Sequence, residues 1–226
     1  MNHLENEINK LKEEISGMWT MVISQLSNAR EALMNFDKDL AAEVLFKERM
    51  VDVYELKIDK DSESILALYQ PVASDLRFVL AVLKINTNIE RIADVAKGIA
   101  KFVAKSPKET LNQELLTAGR IEELFAMLQS MLSEVFSAFE EENPKLAFKV
   151  FAKDELIDKI TRSLDDTLAD YIRKNPSEIH ETMQIFSIVR KLERVGDHCS
   201  NIAEEIVFCT EANVLKHSKK KKLKNS

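Results

Sequence analysis

Glycine and proline are scarce here, four of each in 226 residues. A chain so poor in both residues lacks the turn chemistry of a β-rich domain and the composition of a disordered one, and it reads as long helices. The two cysteines, Cys199 and Cys209, fall on one predicted helix. They would lie roughly 15 Å apart along its axis, beyond disulfide reach, so both read as thiols, with Cys199 a small core residue. No apolar run approaches the ~20 residues of a membrane span. The first twelve residues are polar and charged, unlike the apolar core of a signal peptide. The expectation is a soluble, cytoplasmic protein.

Histidine is also sparse. His3, His180 and His217 have no metal-ligand spacing, and His198 reads as a surface residue pointing away from Asp197. A phosphate-cradling glycine loop is missing, as is the Glu-x-x-His pattern of ferritin-like di-iron sites. Serine, cysteine and histidine form no recognisable nucleophile arrangement.

Charge is plentiful: 31% of residues are charged, against 45% hydrophobic, with a net charge of −6. Lys216, Lys219, Lys220, Lys221, Lys222 and Lys224 crowd the C-terminus. Without those six lysines the body is twice as acidic, which argues against nucleic acid as a partner of the fold. The tail reads as a disordered end, with attraction to anionic lipid as its functional alternative, a peripheral membrane contact.

The prolines punctuate the chain. Pro71, Pro107, Pro144 and Pro176 each fall where a helix would begin, the last three after Ser106, Asn143 and Asn175, which can cap it, and Asp37 offers a further cap. Six long helices follow, over 4–35, 38–69, 72–104, 109–141, 144–174 and 176–211. Short connections make successive helices antiparallel neighbours. On the fourth helix Phe125, Met127, Leu128, Met131, Leu132, Val135, Phe136 and Phe139 make a broad apolar surface, read first as core and second as a partner face.

The chain repeats itself. Glu90-Arg91-Ile92-Ala93-Asp94 returns 103 residues later as Glu193-Arg194-Val195-Gly196-Asp197, and Leu40 to Asp52 returns at an offset of 106 as Leu146 to Asp158. The fold expected is therefore all-α, six long helices arranged as two tandem, pseudo-symmetric three-helix bundles, 1–106 and 107–212, with a lysine-rich tail at 213–226. Each copy carries two acid pairs spaced by four: Glu48 with Asp52 and Glu90 with Asp94, then Asp154 with Asp158 and Glu193 with Asp197. Residues four apart share a helix face. The apolar seam of the third helix, Val82, Ile85, Ile89 and Ile92, leaves Asp94 and Asp197 far round the helix, on a surface or groove.

Four carboxylates brought together by two adjacent helices are oxygen ligands for hard cations such as magnesium, manganese, iron or calcium. The alternative is a solvated acidic face. Asn201, one turn beyond Asp197, adds a candidate oxygen ligand in the second copy, where the first has Gly98. Lys97 follows Asp94 by three and is replaced by Ser200, so the second site is expected to hold metal more tightly.

These residues, together with the run Gln70-Pro71-Val72-Ala73-Ser74-Asp75-Leu76-Arg77, make the chain similar to the PhoU family over roughly residues 10–210. Ala93 stands where that family usually has glycine, and Lys97-Gly98 where an Asn-containing turn is expected. The resemblance implies metal clusters of divalent or trivalent ions, iron, manganese, magnesium or zinc, at two sites: Glu48, Asp52, Glu90 and Asp94, and Asp154, Asp158, Glu193 and Asp197. It also implies a cytoplasmic, homodimeric negative regulator of phosphate uptake and phosphate-starvation signalling. Such a regulator is an adaptor between the phosphate ABC transporter ATPase and a sensor histidine kinase, and not an enzyme. The competing readings are a metal-dependent hydrolase or oxidase, which would need an enclosed pocket, and a purely structural bundle.

Overall fold

The computed structural model describes residues 3–212. The lysine-rich segment and its membrane reading lie outside the described residues. The described residues form seven α-helices and one short 3-10 turn: α1 (His3–Asn35), α2 (Lys38–Tyr69), α3 (Ala73–Lys105), α4 (Gln113–Ala118), α5 (Ile121–Glu140), α6 (Pro144–Lys174), the turn Pro176–Glu178, and α7 (Ile179–Glu211). The fold is all-α. The first three helices pack on one another, as do α5, α6 and α7, giving two tandem three-helix bundles.

Side-chain caps account for the starts of α2, α4 and α6, and α3, α5 and α7 begin without one. The Asp37 carboxylate accepts from the backbone N–H groups of Asp39 and Leu40 to begin α2, and Asn143 accepts from Lys145 to begin α6, with Pro144 in its first turn. The helix ends are less usual. Phe36, Gln70, Arg120, Glu142 and Ala212 adopt left-handed backbone conformations, and no glycine does. A chain so short of glycine ends its helices on ordinary residues at a conformational cost.

The expected fourth helix differs most from the observed one. Pro107 lies in an extended connector, the helix begins at Gln113, and it breaks after Ala118 at Gly119 and the left-handed Arg120. The break follows from packing. A Cβ at Gly119 would come within 2.9 Å of Ile185 Cγ2 on α7, so the backbone there lies directly against its neighbour. The apolar surface beyond the break is core: Phe125, Leu128, Met131, Leu132 and Val135 are fully buried.

The bundles join through their inner helices. Trp19 on α1, fully buried, packs against Phe136 and Phe139 on α5, with ring centroids 5.4 and 5.6 Å away. Between α3 and α7, Lys84 meets Glu205, Asn88 meets His198 and Asn201, and Gly98 meets Lys191. Residue numbers rise on one helix as they fall on the other, so α3 and α7 are antiparallel. Helices α1, α3, α5 and α7 thus form the joint, while α2 and α6 lie on the outside, each against its own bundle.

Candidate functional site

Both sets of acids lie where an outer helix meets an inner one. In the first repeat Glu48, Asp52, Glu55 and Asp59 recur at steps of four, three and four, which keeps all four on one face of α2. Asn86, Glu90, Asp94 and Lys97, at steps of four, four and three, likewise share one face of α3. The two rows form a polar seam closed at both ends. At one end Asn86 Nδ2 donates to Asp59 Oδ1 at 2.8 Å and to the Glu55 carbonyl at 3.0 Å. At the other, the Lys97 ammonium donates to the Glu48 carboxylate, which is only 4% exposed, and lies 3.6 Å from Asp94 Oδ1. Arg91 reaches Asp94 at 3.5 Å and Glu90 at 3.4 Å.

The electrostatics follow from that packing. Burial, then the neighbouring Asp94, pushes the Glu90 carboxyl up to about 7. Burial, with Asp59 and Asp52 nearby, raises Glu55 as well. The hydrogen bond to Glu48, aided by the charges of Asp94 and Asp52, holds the Lys97 ammonium above its ordinary value. Lys97 is thus a cation held among three of the four acids expected to form the first site.

The second repeat reaches a different solution. Asp154, aligned with Glu48, is equally buried and accepts a 2.7 Å hydrogen bond from Ser200, aligned with Lys97. Gly196, aligned with Ala93, makes room for it: a Cβ there would lie 2.9 Å from Asp154 Oδ1. The shorter acid approaches the α7 backbone and finds a hydroxyl, where the longer Glu48 finds an ammonium. Asp158 pairs with Arg162 at 3.4 Å, and Glu193 with Arg190 at 3.0 Å. Arg190 also clasps Asp165 through two 2.8 Å contacts. Asp197 is exposed.

Some of the expected arrangement is therefore redrawn. Glu48 and Asp154 are buried against inner helices, while Asp94 is half-buried and Asp197 faces solvent. Asn201 turns towards Asn88 on α3, away from the α6 acids, at 3.3 Å. His198, expected at the surface, is half-buried at the same joint with its Nδ1 2.9 Å from Asn88 Oδ1. Glu55, Asp59, Asn86, Asp165 and Arg190 complete the seams and are absent from the expected sites. Continuing the Glu48–Asp52 spacing to Glu55 and Asp59 would have found two of them.

Among the described residues, no group of three or more His, Cys, Asp or Glu side chains is placed to hold a metal ion. The two repeats nonetheless differ in fitness for one. The first carries its own cation, Lys97. The second has no lysine among its acids, although Arg162 pairs with Asp158 and Arg190 with Glu193, and Gly196 lets Asp154 approach the α7 backbone.

The fold and seams define a duplicated all-α protein with matched polar faces between outer and inner helices. Family comparison agrees: the PhoU domain model matches twice, over residues 15–103 and 121–206. The chain belongs to the PhoU family. It is 30% identical over 206 residues to the phosphate-specific transport system accessory protein PhoU homolog 1 of Thermotoga maritima, covering 91% of this chain and 88% of that protein. The crystal structure of PhoU from Pseudomonas aeruginosa superposes with a TM-score of 0.89 at 27% identity, over 93% of this chain and all of the other. That of the phosphate transport system regulatory protein PhoU from Streptococcus pneumoniae gives 0.83, also at 27% identity, over 94% and 99%. PhoU proteins are regulatory accessory proteins, not enzymes.

Proposed function

We propose that this protein is a regulator of phosphate transport that works by docking: a cytoplasmic, homodimeric adaptor between a phosphate transporter's ATPase and a sensor histidine kinase, restraining uptake and starvation signalling. Its family membership supports the accessory role in phosphate transport. No described helix is long and apolar enough to cross a membrane, so contact with a transporter would be made from outside the bilayer.

The observation that carries the docking role is on α2. Phe46, Met50, Val53 and Leu56 recur at steps of four, three and three and are each about half or more exposed, from 49% to 69%. A helix that already buries one apolar face has no folding reason for a second, and exposed apolar stripes of this kind mark interaction surfaces. Co-purification with the transporter ATPase and the sensor kinase, from cells in high and low phosphate, tests the reading. Phe46→Ser with Leu56→Ser should leave the fold intact and reduce recovery of one or both. Unchanged recovery of both would remove α2 as the docking face.

Metal enters this proposal in a structural or tuning role, at the second repeat. Asp154, Asp158, Glu193 and Asp197 would supply oxygen ligands of the kind iron, manganese and magnesium take. A hundredfold excess of manganese over its dissociation constant would add about 2.7 kcal/mol to stability. Glu193→Ala with Asp197→Ala should abolish most of that gain, and equal melting curves in manganese and in chelator would remove metal from the proposal.

A further inference from the structure

Two clefts lie at opposite ends of the antiparallel α3–α7 pair, and the internal repeat relates them. Arg77, Phe78 and Ala81 line the first; the residues 103 further on, His180, Glu181 and Gln184, line the second. Their volumes are similar, about 460 and 420 Å³, within the range of small-molecule sites. Their charges differ. The first balances Lys12 and Arg77 against Asp75 and Glu142, with Lys12 and Glu142 paired at 3.1 Å. The second holds Lys101, Lys105 and Lys108 against a single acid, Glu181, already paired with Lys108. The Lys191 ammonium adds to that excess, since it lies against Gly98 on the cleft wall, 3.3 Å from where a Cβ would stand.

Several lysines that face other helices are neutralised by neighbouring acids, as at Lys10, Lys57, Lys84, Lys97 and Lys153. Lys101, Lys105 and Lys191 make no ion pair with any described residue. Lys105 has a local role, facing the negative end of the α3 dipole in its last turn. Lys101 is a turn further back and Lys191 is on another helix, so the dipole does not explain them. Three uncompensated ammonium groups around one concavity create a positive potential that concentrates small anions.

The geometry points to the cleft between the end of α3 and the start of α7 as a binding site for a multiply charged, phosphate-bearing anion. Lysine ammonium groups bind phosphate as point charges. Several around one cleft favour a ligand with more than one phosphate group over a single orthophosphate. The Phe102 and Leu111 side chains in the lining suit a ligand with an apolar portion beside its phosphates. This inference stands on the cleft alone and does not depend on the docking or metal proposals.

Pyrophosphate titrated into the full chain at low ionic strength, with the Gly98 amide resonance as the local reporter, tests it. Because both lysines are exposed, Lys101→Gln with Lys105→Gln should fold normally, as circular dichroism would show, and should weaken pyrophosphate binding at least tenfold. Lys60→Gln, an exposed lysine outside the cleft, should leave it unchanged. Vesicles of phosphatidylcholine with and without phosphatidylglycerol separate the sources. Pyrophosphate binding without vesicle binding identifies a soluble anion, whereas vesicle binding that the double variant loses and pyrophosphate competes away identifies a lipid headgroup. A Gly98 resonance unmoved by pyrophosphate, or equal weakening by Lys60→Gln, overturns the site.

Discussion

Lys97 on α3 reaches across to the buried Glu48 on α2, whereas the aligned pair in the second repeat is Ser200 and Asp154. One buried carboxylate is answered by a charge and the other by a hydroxyl. The repeats share a backbone and differ in how they neutralise it, and this difference generates the first two expectations.

Lys97→Ser removes the cation and leaves Glu48 buried without its partner. Losing one member of a fully buried pair costs about 3–5 kcal/mol. Lys97 is partly solvated, so about 1–3 kcal/mol is expected, a melting decrease of roughly 2–4 °C per kcal/mol in a chain of this size. Millimolar magnesium should recover more stability in the variant than in the parent, because the Glu48 end of the first seam then lacks its ammonium while Arg91 remains beside Glu90 and Asp94. Parallel magnesium responses in the two proteins would show that Lys97 does not take the place of a diffusible ion.

Gly196→Ala tests the other solution. The added methyl would meet Asp154 Oδ1 at 2.9 Å, and overpacking of this kind costs about 1–3 kcal/mol. The clash is with a side chain, so its cost should depend on that side chain. In an Asp154→Ala background the same substitution should cost much less, a coupling that urea denaturation of the four proteins in the cycle would measure. Equal costs in both backgrounds would place the strain in the α7 backbone instead. The reciprocal change, Ala93→Gly, relieves no contact and should cost about 1 kcal/mol through helix propensity.

How far the sequence spoke for itself can be traced through these residues. The apolar seams of α3 and α7 and the caps at Asp37 and Asn143 act locally, at fixed spacing, so the six-helix pattern and the duplication were legible. The break at Gly119 was not, because its cause is Ile185, 66 residues away. The acid pairs were legible as spacing, and Asp94 and Asp197 as lying off the apolar seam, but the burial of Glu48 and Asp154 was not. Whether Glu48 is solvated or buried depends on the angle at which α2 meets α3, and helical periodicity fixes only which residues share a face. Asn88 reaching His198 and Asn201 belongs to a joint between bundles that no local pattern announces.

His198 carries the clearest pH dependence. Burial, reinforced by Arg194 and by Arg91 across the joint, lowers its imidazole to about 4. The unfolded chain therefore binds a proton near pH 6.5 that the folded chain refuses until about 4, and the His198 contribution to stability falls as pH drops through that interval, opposite in sign to that of Glu90, whose raised carboxyl takes up a proton on folding there. Asp197 beside it in sequence is exposed and offsets little. His198→Gln keeps a polar partner for Asn88 without the titration, so its stability should decline less between pH 6.5 and 4.5. Identical pH profiles for the two proteins would mean that His198 is solvated in solution.

The shortage of glycine supplies the last expectation. Gln70 ends α2 with φ 47° and ψ 56°, a left-handed conformation that costs an ordinary residue roughly 1–2 kcal/mol and glycine almost nothing. Its side chain is exposed and appears in none of the hydrogen bonds seen at the other helix ends, unlike Glu142, which pairs with Lys12, or Arg120, which pairs with Glu123. Gln70→Gly therefore removes strain and no contact. The greater freedom of glycine in the unfolded chain takes back part of the gain, leaving about 0.5–1 kcal/mol and a rise of a few degrees in melting temperature. Arg120→Gly, at the same conformation, should gain less because it gives up the two 2.6 Å contacts to Glu123. If thermal melts rank Arg120→Gly above Gln70→Gly, the side-chain contacts at these helix ends contribute nothing, and the backbone alone sets their stability.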